Sequence, residues 1–286
     1  MHIPVMPEET MSLLAIKPDG TYLDCTAGMG GHTGMIASRL TTGMLISNDR
    51  DAQSLEMARA NTAQWVDRIR YHHGSFESLP EALAETGVSK VDGLLADLGV
   101  SRYQLTDPDR GFSFMAEGPL DMRMDQSTGT TAADLVNYSN ERTLADLIYR
   151  LGEERGARKV ARAIVRARPI RSTLHLADVV SRAVPRTGRL HPATRTFMAL
   201  RMAVNDESGE LDHLLRIAPD LLKSGGRMVV ISFMSLDDRK VKERFRQLGR
   251  DQAATILTKH PLQPSEQEIA ENPAARSAKL RALEKR

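Results

Sequence analysis

Three aspartates and a phenylalanine close successive apolar runs beside a cluster of glycines, and residues of these types can hold a ligand. The segment GTYLDCTAGMGGHTGMIASRL reads as a strand from Thr21 to Cys25, a turn with Gly28, Gly30 and Gly31, and an amphipathic helix. Glycines lack a Cβ and permit positive φ, so a ligand can come close to the backbone. The helix start behind them offers unpaired N–H groups. The run GMLISNDRD reaches Asp49, whose carboxylate can accept hydrogen bonds from both hydroxyls of a ribose. RIRYHHGSF ends in Phe76, an apolar cover for a purine, and VDGLLAD ends in Asp97. Each feature alone has a plain alternative: a tight turn, a solvated acid such as Asp51, a core phenylalanine. Their order along four successive strands makes the site, because open α/β sheets bind ligands beyond the carboxyl ends of their strands.

The glycines narrow the ligand class. A dinucleotide fingerprint needs a third glycine where Thr33 stands, so a pyrophosphate is disfavoured. The pattern present is an acid four positions ahead of the glycines, from Asp24 to Gly31. An acid there suits a cofactor with a cationic amino-acid end and no phosphate, such as S-adenosylmethionine. Beyond Asp97 the chain runs DLGVSRYQLTDPDRGFSFMAEGPLDMRMD, rich in Arg, Phe, Asp and Met. A loop of this kind at the sheet edge is a candidate site. It brings two acids, Asp97 and Asp121, and three aromatic rings, Tyr103, Phe112 and Phe114.

These side chains need a scaffold. Residues 21 to 101 alternate strand and helix patterns, which indicates βαβ units and a parallel-type sheet. From about residue 131 to 184 the spacing turns helical throughout, with Thr131 and Thr173 as expected helix caps. Strand character returns at GGRMVVISFMSL after a helix over ESGELDHLLRIAPDLLKS. The expected architecture is an α/β sheet domain, 1–108 with 200–286, interrupted by a helical domain, 109–199. From about Gln252 the chain reads as irregular with a basic end, RSAKLRALEKR.

Composition bounds the rest. The chain has 286 residues, 41% hydrophobic and 27% charged, with a single cysteine, Cys25. An internal disulfide and a multi-cysteine zinc site are excluded, and no metal site is expected. No signal peptide or membrane span is apparent, so a cytoplasmic location is the default. The net charge of +2 is unevenly spread. Glu141 to Met202 hold fourteen Lys/Arg against five Asp/Glu, which leaves the remainder net negative by seven. That asymmetry indicates a polyanion partner, with Arg158, Arg162 and Arg166 as candidate phosphate contacts. The oligomeric state, a homodimer included, is left open.

The motif order resembles the ribosomal RNA small subunit methyltransferase H family over nearly the whole chain. HIPVMPEE, GMGGH, NDRD, DLGVS, RGFSF, GPLDMRMD, GEERGARKVARAI, HPATRTF, GGRMVVISF and NPAARSAKLR carry the resemblance. It implies a Rossmann-like S-adenosylmethionine-dependent methyltransferase sheet with an inserted helical, Arg-rich substrate-recognition domain. It also implies methylation of N4 of a cytidine in the decoding region of 16S rRNA, in the small ribosomal subunit. The cofactor contacts it implies are Gly30, Gly31, His32, Asp49, Phe76, Asp97 and Gln104. His32 and Gln104 come from the resemblance alone. For the cytidine acceptor that the resemblance implies, Asp97 and Asp121 are the candidate proton acceptors by location only, either equally a structural acid, and Tyr103, Phe112 or Phe114 the candidate stacking surface for the base. Against the family pattern, Met234 stands at a histidine position and Met198 at a glutamine position. These changes keep a second reading open, an RNA-binding assembly protein that retains the cofactor but has lost methyl transfer.

Overall fold

The computed structural model describes residues 4–186 and 190–286, so His2 and Ile3 of the HIPVMPEE motif lie outside the described residues. The chain divides into two compact units, residues 1–101 with 208–286, and residues 102–207.

The first unit is a Rossmann-like sheet of seven strands: β1 Thr21–Asp24, β2 Met44–Asp49, β3 Ile69–His73, β4 Val91–Asp97, β5 Leu222–Ser232, β6 Ala254–Ile256 and β7 Lys279–Lys285. Their order is β3-β2-β1-β4-β5-β7-β6. The five strands from β3 to β5 in that order are parallel, and β7 runs antiparallel to both its neighbours. Side chains alternate across a sheet with period two, and here that alternation feeds two cores. Leu23, Ile46, Leu94, Met228 and Val230 meet Leu83, Leu214 and Phe245 on one face. Tyr22, Leu45, Leu95, Val229 and Ile231 meet Met11, Leu14 and Ile36 on the other. Apolar strands buried on both faces are the mark of a helix-covered parallel sheet. The strand order reverses at β1, between β2 and β4, so the turn after β1 opens at the topological switch point.

The basic end does not form the irregular tail expected from the sequence. Lys279–Lys285 is β7, inserted between β5 and β6. Its alternation is short and dense in charge, which hid the strand, but the charges have partners inside the protein. Arg281 donates to the Asp238 carboxylate at 2.7 and 3.2 Å, and Lys285 Nζ donates to the carbonyl oxygens of Pro219 and Leu222.

The second unit is built mainly from helices. Glu141–Gly152 packs against Ala157–Arg166 and Thr194–Val204, and Ala157–Arg166 packs against Thr173–Ala183. Helical spacing sorts each one. Along Ala157–Arg166, Val160, Ala161 and Ile164 are buried, while Arg158, Lys159, Arg162 and Arg166 are exposed. Thr131 caps Ala132–Tyr138 in a reciprocal capping box with Asp134. Thr173 is not the cap of its helix. Ser172 caps it by accepting from the His175 N–H, and the Thr173 hydroxyl donates instead to the Ala116 carbonyl.

Candidate functional site

The first unit gathers its chemistry at the carboxyl ends of β1, β2, β3 and β4. The turn after β1 needs its glycines. Gly28 has φ +52°, and a side chain there would meet nothing within 4 Å, so its α-carbon borders open space. Gly30 has φ +87°, and a Cβ would come within 3.0 Å of the Ala58 backbone. Gly31 and His32 open the helix Gly31–Arg39.

Asp49 ends β2 and ties the turn to it. One carboxylate oxygen accepts the Gly28 N–H at 2.8 Å, and the other accepts the Asp51 N–H at 2.9 Å. Each oxygen keeps a lone pair for a ligand. Asp49 is half-buried. Burial pushes its carboxyl up to about 6, against the two backbone hydrogen bonds, with Asp51 and Asp24 adding to the rise. Asp51 is the N-cap of the helix Ala52–Asn61, accepting from the N–H groups of Gln53 and Ser54. It is thus a helix cap rather than a ribose ligand.

Asp24 is fully buried. Its oxygens accept from the Thr26 N–H at 3.1 Å and the Thr33 hydroxyl at 2.7 Å. The sequence placed it toward a cationic ligand; the structure makes it a brace inside the turn. Burial pushes its carboxyl up to about 6. Asn48, buried beside Asp49, donates to the carbonyl oxygens of Cys25 and Gly74, locking the ends of β1 and β3 together. Only its place next to Asp49 in the NDRD motif signalled it.

Asp97 ends β4. Its backbone N–H donates to the Thr26 hydroxyl oxygen at 2.7 Å. Its side chain is 24% exposed, and Oδ2 lies 3.6 Å from His32 Nδ1. Oδ1 is buried with no hydrogen-bond partner. Burial, with the field of Asp24, pushes this carboxyl up to about 8. A buried carboxylate oxygen without a donor costs about 1–3 kcal/mol or more, and such groups concentrate at functional sites.

Phe76 follows β3 at the start of the short helix Phe76–Ser78, half-buried against the core. Its N–H donates to Glu210 at 2.8 Å, a contact across 134 positions that no local pattern signals. Gln104 lies buried on the helix Arg102–Thr106 of the second unit.

In the second unit, Asp121 is held by Arg123 through Nε, Nη2 and the backbone N–H at 2.8–3.0 Å. Burial raises its carboxyl, but the Arg123 bonds outweigh that and leave it below the usual range. A carboxylate so engaged is a poor proton acceptor, which leaves Asp97 as the better of the two acids. Phe112 is buried, with the Arg110 guanidinium 5.7 Å from its ring centre. Phe114 stacks on His191 at 4.7 Å and meets Phe197 edge-on at 4.9 Å. Tyr103 stays half-exposed. Among the described residues no group of side chains could hold a metal ion, and no helix is long and apolar enough to cross a membrane.

The MraW methylase family profile matches residues 1–286. The ribosomal RNA small subunit methyltransferase H of Solibacter usitatus is 75% identical over 286 residues, covering 100% of this chain and 100% of that protein. The protein of the same name from Acidobacterium capsulatum is 49% identical over 295 residues, covering 100% of this chain and 98% of that protein.

Proposed function

The chain belongs to the MraW methylase family, and from that premise we propose that it transfers a methyl group from S-adenosylmethionine to N4 of a cytidine in the decoding region of 16S rRNA. Support for the cofactor lies in the donor set. The strand ends present carboxylates and a glycine turn with open space at Gly28. Asp49 can accept from the ribose hydroxyls, Phe76 can cover the adenine, and Gly30, Gly31, His32, Asp97 and Gln104 complete the proposed contacts.

When bound, S-adenosylmethionine supplies an activated methyl group, so the residues mainly align it with its acceptor. Proximity and orientation account for several kcal/mol of such a barrier. The acceptor is the harder partner, because the N4 lone pair of cytosine is delocalised into the ring. A carboxylate that accepts an N4 hydrogen localises that pair and takes the released proton. The unpartnered Oδ1 of Asp97 is the observation that carries this assignment. The base must leave its stack, at a cost of a few kcal/mol, and Tyr103 or Phe114 can receive it. The exposed cations of Ala157–Arg166 suit the RNA phosphates.

The test is incubation with radiolabelled S-adenosylmethionine and small ribosomal subunits from cells lacking the modification, followed by mapping of the label. Label on N4 of the decoding-site cytidine is expected. Cofactor binding without label would replace this reading with that of an RNA-binding assembly protein.

A further inference from the structure

We propose that His32 is the positioning residue for Asp97, and that the two side chains hold a single proton between them in the free protein. The pairing stands on geometry; its catalytic use rests on the methyl-transfer reading above.

His32 is buried on the first turn of Gly31–Arg39, and its Nε2 lies 2.9 Å from the Val5 carbonyl oxygen. A carbonyl can only accept, so Nε2 carries a hydrogen. Nδ1 is then turned to Asp97 Oδ2 at 3.6 Å. A neutral imidazole protonated at Nε2 presents a lone pair at Nδ1, and an ionised carboxylate presents another. Without a proton, two acceptors face each other in a buried place. One proton resolves the conflict, either on Asp97 directed at Nδ1 or on Nδ1 directed at the carboxylate. The separation exceeds that of a formed hydrogen bond, as catalytic contacts often do before a ligand binds.

The charged groups around the pair favour this arrangement. Asp24 on β1 raises the cost of a bare Asp97 charge. The Met6 N–H donates to Glu268 at 2.6 Å, which fixes the segment that carries the Val5 carbonyl. Glu268 belongs to the helix Glu266–Glu271, so a C-terminal helix and the start of the chain jointly set the imidazole tautomer.

The proton inventory of the reaction gives the pair its use. As the nitrogen–carbon bond forms and the sulfur–carbon bond breaks, the acceptor nitrogen loses one hydrogen as a proton. Asp97 can take it only when ionised, and a protonated His32 is what keeps a buried Asp97 ionised. After transfer the pair holds two protons and returns one to solvent.

NMR of the full-length protein labelled with 15N-histidine, followed from pH 6 to 9, tests the pairing without cofactor or RNA. The expected result is one histidine with Nε2 protonated throughout and an Nδ1 signal that moves in a single step. That step should be lost or displaced by at least one pH unit in Asp97→Asn. A His32 with bare Nε2, or a signal indifferent to Asp97→Asn, overturns the proposal. The catalytic use is read from the pH profile of methyl transfer. His32→Gln, which can donate to Asp97 but carries no charge, should lose activity about tenfold near pH 7 and recover as pH rises and Asp97 ionises unaided. Equal loss at every pH would reduce His32 to a packing residue. A wild-type protein that shows the NMR pairing but methylates no RNA would sink the methyl-transfer reading and leave the pairing standing.

Discussion

The acids at the strand ends of the sheet unit and the acids Asp121 and Asp134 of the helical unit are held in opposite ways. In the sheet unit, Asp24, Asp49 and Asp97 sit at strand ends where burial lifts their carboxyls above the usual range, and none has an arginine or lysine within ion-pair distance among the described residues. In the helical unit, Asp121 is clamped by Arg123 and Asp134 is bonded to Thr131, and both are held below it. Arginine is plentiful in the helical unit, yet Arg158 and Arg166 stay exposed on the surface. The strand ends of one unit keep buried acceptors that cost it stability, and the helix Ala157–Arg166 of the other sets its cations in water. The first suits a small ligand rich in hydrogen-bond donors, and the second suits a large polyanion.

The sharpest way to break that contrast is Asp97→Asn. Under the proposed mechanism, turnover should fall about 10²–10⁴-fold, measured as methyl incorporation into small subunits. The same substitution should raise stability. The Asp97 carboxyl titrates near 8 in the folded protein and near 3.8 in the unfolded chain. The native state therefore binds more protons across that window, and its stability falls as pH rises through it. Asparagine does not titrate, so the melting temperatures of variant and wild type should diverge from about pH 4 to about pH 8. Converging values across that range would show that Asp97 is not a strained acid. Asp121→Asn should do the reverse, losing stability through the Arg123 bonds and sparing turnover relative to Asp97→Asn.

Asp49→Ala comes next. It removes the acceptor of the Gly28 and Asp51 N–H groups together with the proposed ribose contact. Hydrogen bonds to a charged group are worth about 1.5–3 kcal/mol, so S-adenosylmethionine affinity should fall about 10- to 100-fold by calorimetry. An unchanged affinity would remove the ribose role.

Much of this contrast was legible in the sequence, and most of the parts that were not share a cause. Asp49 and Asp97 close β2 and β4 as expected, because the core of a buried parallel strand is an apolar run and the acid that follows that run marks its end. The Thr131 cap was legible through its Asp134 partner three residues on. β7 was not, because KLRALEK is too short and too charged to read as a buried strand until Asp238, 43 positions away, is seen to pair with Arg281. Ser172 lost the cap to Thr173 in the sequence reading because both residue types fit, and only the long-range contact of Thr173 with Ala116 decides between them. The burial of Asp24 was illegible although its partners, Thr26 and Thr33, lie only two and nine residues on, because an acid ahead of a glycine turn reads equally as a ligand group. Local pattern revealed which residues end strands; the partners that the fold gives them decided which of those residues remain available to a ligand.

A smaller effect is expected on the cationic side. Replacing Arg158, Arg162 and Arg166 together with Ala should weaken RNA binding and lower the slope of log affinity against log salt by about 2 if each meets a single-strand phosphate. Arg162 shares its charge with Glu141 at 3.4 Å, so it should contribute least of the three. Cofactor affinity should stay within about twofold. A slope that does not change would make this face ordinary solvated surface and dissolve the contrast between the units.

Met234→His should produce the smallest change. Met234 stands at the N-cap of the helix Ser235–Arg250 with extended backbone, and its side chain makes no capping bond. Its carbonyl already accepts the Asp238 N–H at 3.0 Å, and the first turn carries Asp237 and Asp238, so the helix start is secured without a polar side chain at the cap. Side-chain caps are worth about 1 kcal/mol, which sets the ceiling on any gain in melting temperature from histidine. If Met234 is only a tolerated cap, methyl transfer by Met234→His should match wild type within about threefold. A rise beyond tenfold would place this position in the acceptor chemistry, and would move part of the site from the acids of β2 and β4 to the loop after β5.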